Sequence, residues 1–144
     1  MSTATKTKVT IKKRKSLKKE CEDLWFELIK LRADYKSELS GRTNDLEPVA
    51  GHHIAGKSNY RLRFEPRNGI CISYQTEHEY GVHNSDPSIS RKYQDLIIKK
   101  IGYNTWEWLL SLKSCKEKQD LTLIKLYLKQ EIEKIKNGTI HNKM

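Results

Sequence analysis

The sequence predicts a mainly helical α+β fold, with one small two-stranded element at the centre and helices on both sides of it. Apolar residues recur at steps of three and four over residues 17–35 and again over 121–135, as on one face of an amphipathic helix. Two short apolar runs at 49–54 and 69–74 have the length of strands. The 144 residues are enough for one domain with a buried core.

Capping and turn residues define the individual elements. The first helix is predicted over 16–36, with Ser16 as its N-cap and with Trp25 and Phe26 widening its buried face. The polar stretch 56–68 between the strands predicts a loop. Thr76, with Glu79 three residues later, predicts the N-cap of a helix after the second strand. Further helices are expected over 87–98, 105–113 and 121–135, the last ending at Gly138.

The charge balance predicts an anionic partner. The net charge is +10, and residues 1–19 contain eight Lys or Arg and no acidic residue. Nucleic acid is the partner that such a balance favours. We expect a flexible basic arm at 1–15, a core at 16–100 and a C-terminal helical extension at 101–144 that packs on the core.

Other function classes are disfavoured by composition. No apolar run reaches the ~20 residues of a membrane span, and no apolar stretch follows the basic N-terminus as in a secretory signal. The three cysteines are far apart in the sequence and do not form a disulfide framework or a CxxC pair. We therefore expect a cytoplasmic protein without a membrane partner. The apolar stripe at 121–135 can pack internally or pair two chains, so both a monomer and a homodimer remain open.

Four of the five histidines lie between positions 52 and 83, which predicts one site. Imidazole can bind a divalent metal ion or accept a proton near neutral pH. The pair His52 and His53 would point to opposite faces of a flat strand, although both can approach one centre if the alternation fails at the strand end. His78 and His83 are five residues apart, so an irregular helical turn is needed to bring both to one ion. Glu79 and Glu77 remain rival ligands.

The order of these residues resembles an HNH endonuclease of the phage type. The resemblance rests on His52-His53-Ile54, on Asn68-Gly69 fifteen residues after His53, and on His78 and His83. It extends over residues 17 to about 98, including the segments LEPVAGHHIAGKSN and LRFEPRNGI. This family has the ββα-metal fold, in which two strands and a helix surround one metal ion. The resemblance therefore implies a central ββα-metal (HNH) element.

The resemblance also implies roles for individual residues. His53 is expected to be the general base, and Asn68 to orient the ring of His53. His52, His78 and His83 are expected to bind a single divalent ion, Mg²⁺ or Mn²⁺ in the first place, with Zn²⁺ or Ni²⁺ as further candidates. Many HNH proteins also hold a structural zinc between two CxxC pairs. Residues 37–41 and 73–76 occupy those positions here without cysteine, so no structural zinc is expected.

The expected activity is metal-dependent hydrolysis of DNA phosphodiester bonds, by nicking or by double-strand cleavage. Four basic residues in or near the interstrand loop are the candidate DNA contacts: Lys57, Arg61, Arg63 and Arg67. Two alternatives remain at this point. One is a structure-selective nuclease that acts on branched DNA in recombination. The other is a non-catalytic nucleic-acid-binding protein that keeps the HNH scaffold.

Overall fold

The computed structural model describes residues 15–142, and the side chains of residues 15–138. The predicted fold class is confirmed, because helices surround a two-stranded antiparallel sheet. The elements in chain order are α1 (Leu17–Arg32), β1 (Val49–His53), α2 (Tyr60–Arg63), β2 (Gly69–Ser73), a π-helix (Tyr74–Val82), α3 (Pro87–Ile101), α4 (Tyr103–Ser111) and α5 (Leu121–Asn142). The predicted basic arm lies outside the described residues except for Lys15, which forms an ion pair with Asp23 at 2.9 Å.

Helix α1 begins where the sequence predicts and ends earlier. The side chain of Ser16 accepts a hydrogen bond from the backbone amide of Lys19 at 3.1 Å, as an N-cap does. The predicted end at residue 36 is wrong, because Asp34 and Tyr35 both have φ of 55°. This left-handed conformation cannot continue a right-handed helix. Tyr35 consequently leaves the apolar face of α1 and is 39% exposed.

Helices α1 and α5 pack against each other and form one part of the core. Trp25 and Leu28 of α1 and Leu128 and Ile132 of α5 belong to the same buried cluster. Helix α5 does not stop at Gly138 as predicted, but continues to Asn142. A glycine inside a helix destabilises it by only about 1 kcal/mol relative to alanine, which the long helix tolerates.

The two strands lie against α1. His53 of β1 is paired with Gly69 of β2. A Cβ atom at position 69 would overlap the side chains of Ile29 and Trp25, so the close approach of strand and helix requires glycine there. This contact fixes the position of β1 relative to α1, and with it the position of His53.

No helix within residues 15–142 combines the length and the hydropathy needed to cross a lipid bilayer.

Candidate metal centre

The interstrand loop, residues 54–68, is held in place by Asn68. This side chain is fully buried. Its Oδ1 accepts a hydrogen bond from the amide of Ala55 at 2.8 Å, and its Nδ2 donates to the carbonyls of Gly56 at 2.8 Å and Leu62 at 3.0 Å. None of these bonds reaches the ring of His53, so the expected role of Asn68 in orienting that ring is wrong. Asn68 instead holds the loop backbone in place. Its side-chain amide has one acceptor oxygen and two donor hydrogens, and all three groups bond to backbone atoms of the loop.

We expect Asn68→Ala to lower the free energy of unfolding by at least about 2 kcal/mol, because each buried polar group left without a partner costs ~1–3 kcal/mol. Urea unfolding followed by circular dichroism measures the change. Asn104→Ala, at an exposed position of α4, is the matched control and should change stability little. Equal stability of the two variants would show that the loop does not depend on Asn68.

The ring of His53 is fixed from two sides. It stacks on the indole of Trp25 with 3.9 Å between ring centroids and 2° between the planes. Its Nε2 lies 2.9 Å from the backbone carbonyl of Arg63. Because a carbonyl can only accept, Nε2 must carry the hydrogen, and in the neutral ring Nδ1 is then the unprotonated nitrogen. The role expected of Asn68 is thus filled by Trp25 and the carbonyl of Arg63.

His52 and His53 obey the alternation of a strand, as expected for a flat strand, and the alternation does not fail at the strand end. His53 faces Trp25 of α1, whereas His52 faces His78 and His83, with ring centroids 5.3 and 5.8 Å away. Both imidazoles nevertheless line one cleft, together with Ala50 and Gly51 of the same strand.

The five-residue step between His78 and His83 is explained by the π-helix. In this conformation the hydrogen bonds span five residues instead of four, so residues i and i+5 lie on the same face. The amide of His83 donates to the carbonyl of His78 at 3.0 Å, which is such a bond. Gly81 lies against the ring of Tyr93 in α3, and a Cβ atom at position 81 would overlap that ring. The irregular turn predicted from sequence is therefore a whole π-helix.

The start of the π-helix differs from the prediction. Its N-cap is Ser73, not Thr76: the Oγ of Ser73 accepts from the amide of Glu77 at 3.1 Å, and Glu77 Oε1 accepts from the amide of Ser73 at 2.8 Å. The same carboxylate accepts from the hydroxyl of Ser37, and Thr76 donates to Glu47. The carboxylate of Glu77 therefore stabilises the start of the π-helix through these hydrogen bonds. It does not join the histidines as a rival ligand.

His52, His78 and His83 form a group that can hold a metal ion. One ring nitrogen from each lies within 4.8 Å of the others. The Nε2 atoms of His78 and His83 are 3.2 Å apart. Nitrogens that bind one tetrahedral ion at about 2.0–2.1 Å lie roughly 3.3 Å from each other, so this spacing fits a shared cation. We call these three residues the histidine cluster.

Glu79 contacts the histidine cluster without belonging to it. Its Oε1 lies 3.3 Å from Nδ1 of His78. A carboxylate in this place favours a hydrogen on Nδ1 and leaves Nε2 of His78 unprotonated for the ion. Glu79 thus lies beside the histidine cluster as a hydrogen-bond partner of His78 and is not one of its three members.

Burial favours the neutral form of the imidazoles of His52, His53 and His78. It lowers the pKa of His52 to about 3, and the neighbouring rings of His78, His83 and His53 act in the same direction. It lowers the pKa of His53 to about 4, although the Arg63 carbonyl opposes the change. The pKa of His78 is also lowered, first by burial and then by His83. Neutral imidazole is the form that binds metal or accepts a proton.

We expect the metal-free protein to lose stability as the pH falls from about 6.5, the ordinary pKa of histidine, towards about 4, the folded-state pKa of His53. In this window the unfolded chain binds protons that folded His52 and His53 exclude, so the free energy of unfolding rises with pH. Urea unfolding at a series of pH values in EDTA measures the slope. The double variant His52→Gln/His53→Gln should have a smaller slope, and an unchanged slope would contradict this account.

The four predicted DNA contacts fall on two surfaces. Lys57 is exposed and lines the cleft of the histidine cluster, and Arg63 lies beside His53 in an ion pair with Glu22 at 2.8 Å. Arg61 and Arg67 instead line another groove, where both are paired with Glu65 and lie over the ring of Trp108. The structure therefore brings two of the four basic residues to the candidate site.

Three aromatic residues near the site were not predicted as part of it. Trp25 supports His53, and Phe26 and Tyr74 line the cleft. Tyr74 precedes His78 by four residues, a helical spacing that the sequence does show. Trp25 and Phe26 reach the site only through the packing of α1 on β1, which no local pattern reveals.

In comparisons with known proteins, no family model, no curated protein and no solved structure matched this chain.

Proposed function

We propose that this protein is a metal-dependent endonuclease of the HNH type that hydrolyses DNA phosphodiester bonds. One observation carries the proposal: the histidine cluster and His53, with its Nδ1 left free by the Arg63 carbonyl, line the same cleft. A site for one cation beside a neutral, fixed base is the arrangement that phosphodiester hydrolysis needs. The excess of positive charge supports a polyanionic substrate.

His52, His78 and His83 would hold the ion. When bound, a divalent ion neutralises charge on the phosphoryl oxygens and on the leaving oxygen. We propose Mg²⁺ or Mn²⁺ as the working ion, with Zn²⁺ and Ni²⁺ as ions that three imidazoles also bind well. Glu79 stabilises the tautomer of His78 that carries its hydrogen on Nδ1, which leaves Nε2 free to bind the ion.

His53 would act as the general base. Its Nδ1 takes a proton from a water molecule while the water oxygen forms a bond to phosphorus and the bond from phosphorus to O3′ breaks. The stacked indole of Trp25 and the Arg63 carbonyl hold the ring in one orientation throughout. The leaving O3′ takes a proton from solvent water, and His53 later returns its proton to solvent, so the expected products carry a 5′-phosphate and a 3′-hydroxyl.

Lys57 is the basic residue best placed to bind the substrate backbone. It is exposed at the cleft that contains the four histidines, so its ammonium group can pair with a phosphate next to the reacting one. The side chain of Arg63 is already paired with Glu22, and the backbone carbonyl of Arg63 orients the ring of His53.

Incubation of supercoiled plasmid with the purified protein tests this function. We expect relaxed and linear plasmid with at least one of Mg²⁺, Mn²⁺, Zn²⁺ or Ni²⁺, no product in EDTA, and ends that DNA ligase can rejoin. His141→Ala, which changes a histidine outside the 52–83 window, should cut like the wild type. Plasmid binding without cleavage in every ion would favour a non-catalytic nucleic-acid-binding protein.

A further inference from the structure

The walls of the catalytic cleft are more aromatic than phosphate chemistry requires. The cleft has a volume of about 390 Å³. Besides the four histidines and Lys57, it is lined by Phe26, Tyr74 and small residues that include Gly51 and Gly56. A phosphate group gains nothing from apolar walls, because its oxygens need cations and hydrogen-bond donors. A second part of the substrate, with an apolar face, is therefore expected in the cleft.

Two aromatic rings flank the imidazoles. Phe26 packs edge-on against His53, with 5.9 Å between centroids. Tyr74 lies beside His78 with 5.8 Å between centroids and 25° between planes, and the residue remains 49% exposed. Tyr74 thus lies next to the candidate cation site, lines the cleft and keeps about half of its surface available for contact with a ligand.

We propose that Tyr74 and Phe26 form a stacking site for an unpaired nucleobase next to the phosphate that is cut, so that the preferred DNA substrates carry an unpaired base there. This inference rests on the proposed nuclease function. Every base has a π-face that an aromatic ring can stack on. In an intact duplex those faces are covered by neighbouring bases, whereas an unpaired base leaves the stack at lower free-energy cost.

Cleavage of two duplexes of identical sequence tests the proposal, one fully matched and one with a single unpaired base. The wild type should have the higher kcat/KM on the second duplex. Tyr74→Ala should lower kcat/KM on that duplex by roughly 5- to 150-fold more than on the matched duplex, the range of base–aromatic stacking. Tyr74→Phe should keep the preference. Tyr80→Ala, at an exposed tyrosine of the same π-helix that does not line the cleft, is the matched control.

Binding separates this proposal from the proposed function. Fluorescence anisotropy with His53→Ala and Mn²⁺ measures affinity for the two duplexes without cleavage. We expect tighter binding of the duplex with the unpaired base, and loss of this preference in His53→Ala/Tyr74→Ala. Equal affinities in the first variant, or an unchanged preference in the second, would overturn the stacking site. If the wild type cuts no DNA in any ion, the nuclease proposal fails, while the anisotropy result still decides whether a base stacks on Tyr74.

Discussion

His53→Ala is expected to lower the rate of DNA cleavage by roughly 10²- to 10⁴-fold, the usual contribution of a general base. Without the imidazole, nothing at this position takes the proton from the attacking water. The ion should still bind, because His53 faces Trp25 and lies outside the histidine cluster. Single-turnover cleavage of a labelled duplex at saturating protein concentration measures the rate of the chemical step.

A control for His53→Ala must separate the loss of the base from the loss of the ring's packing. His53→Phe keeps an aromatic ring against Trp25 and lacks both nitrogens, so it should be as inactive as the alanine variant and closer to the wild type in stability. Cleavage by His53→Phe at the wild-type rate would contradict the role of His53 as base.

Removal of one cluster ligand is the second large effect, and His83 is the ligand best suited to the experiment. It is exposed at the end of the π-helix, whereas His52 is only 7% exposed and its replacement would disturb the core. We expect His83→Ala to lower metal affinity by more than the roughly 10- to 100-fold that loss of an outer-shell partner costs, and to abolish cleavage at micromolar metal.

Thermal unfolding measures this change in affinity. A ligand that binds only the folded state raises the midpoint as its concentration exceeds the dissociation constant. The wild type and His141→Ala should therefore be stabilised by added Mn²⁺ or Zn²⁺, and His83→Ala should not respond at the same concentration. Equal shifts in all three proteins would place the ion elsewhere.

The parts of the site that follow from periodicity could be predicted from the sequence. The strand limits were close to those observed, and alternation along β1 sends His52 and His53 to opposite faces. Clustering in the sequence also predicted that His52, His78 and His83 lie close together, and the structure brings them close enough to hold a metal ion.

The parts that depend on long-range packing could not be predicted. The π-helix depends on the contact of Gly81 with Tyr93 and on the reciprocal cap between Ser73 and Glu77, and a spacing of five residues alone does not select it. The true partners of Asn68 are backbone atoms of the interstrand loop, which sequence does not place.

The basic residues show the same limit. The short helix α2 and the turn after it direct Arg61 and Arg67 towards Trp108. These two arginines therefore line a different groove from Lys57, which the spacing of the basic residues in the sequence could not reveal.

Anomalous diffraction from a crystal grown with Mn²⁺ or Zn²⁺ tests directly whether three imidazoles hold one cation beside His53. We expect a single strong peak at bonding distance from one ring nitrogen each of His52, His78 and His83, with His53 outside the coordination sphere. A map without a peak between these three side chains, or with the ion bound by other residues, would contradict the account.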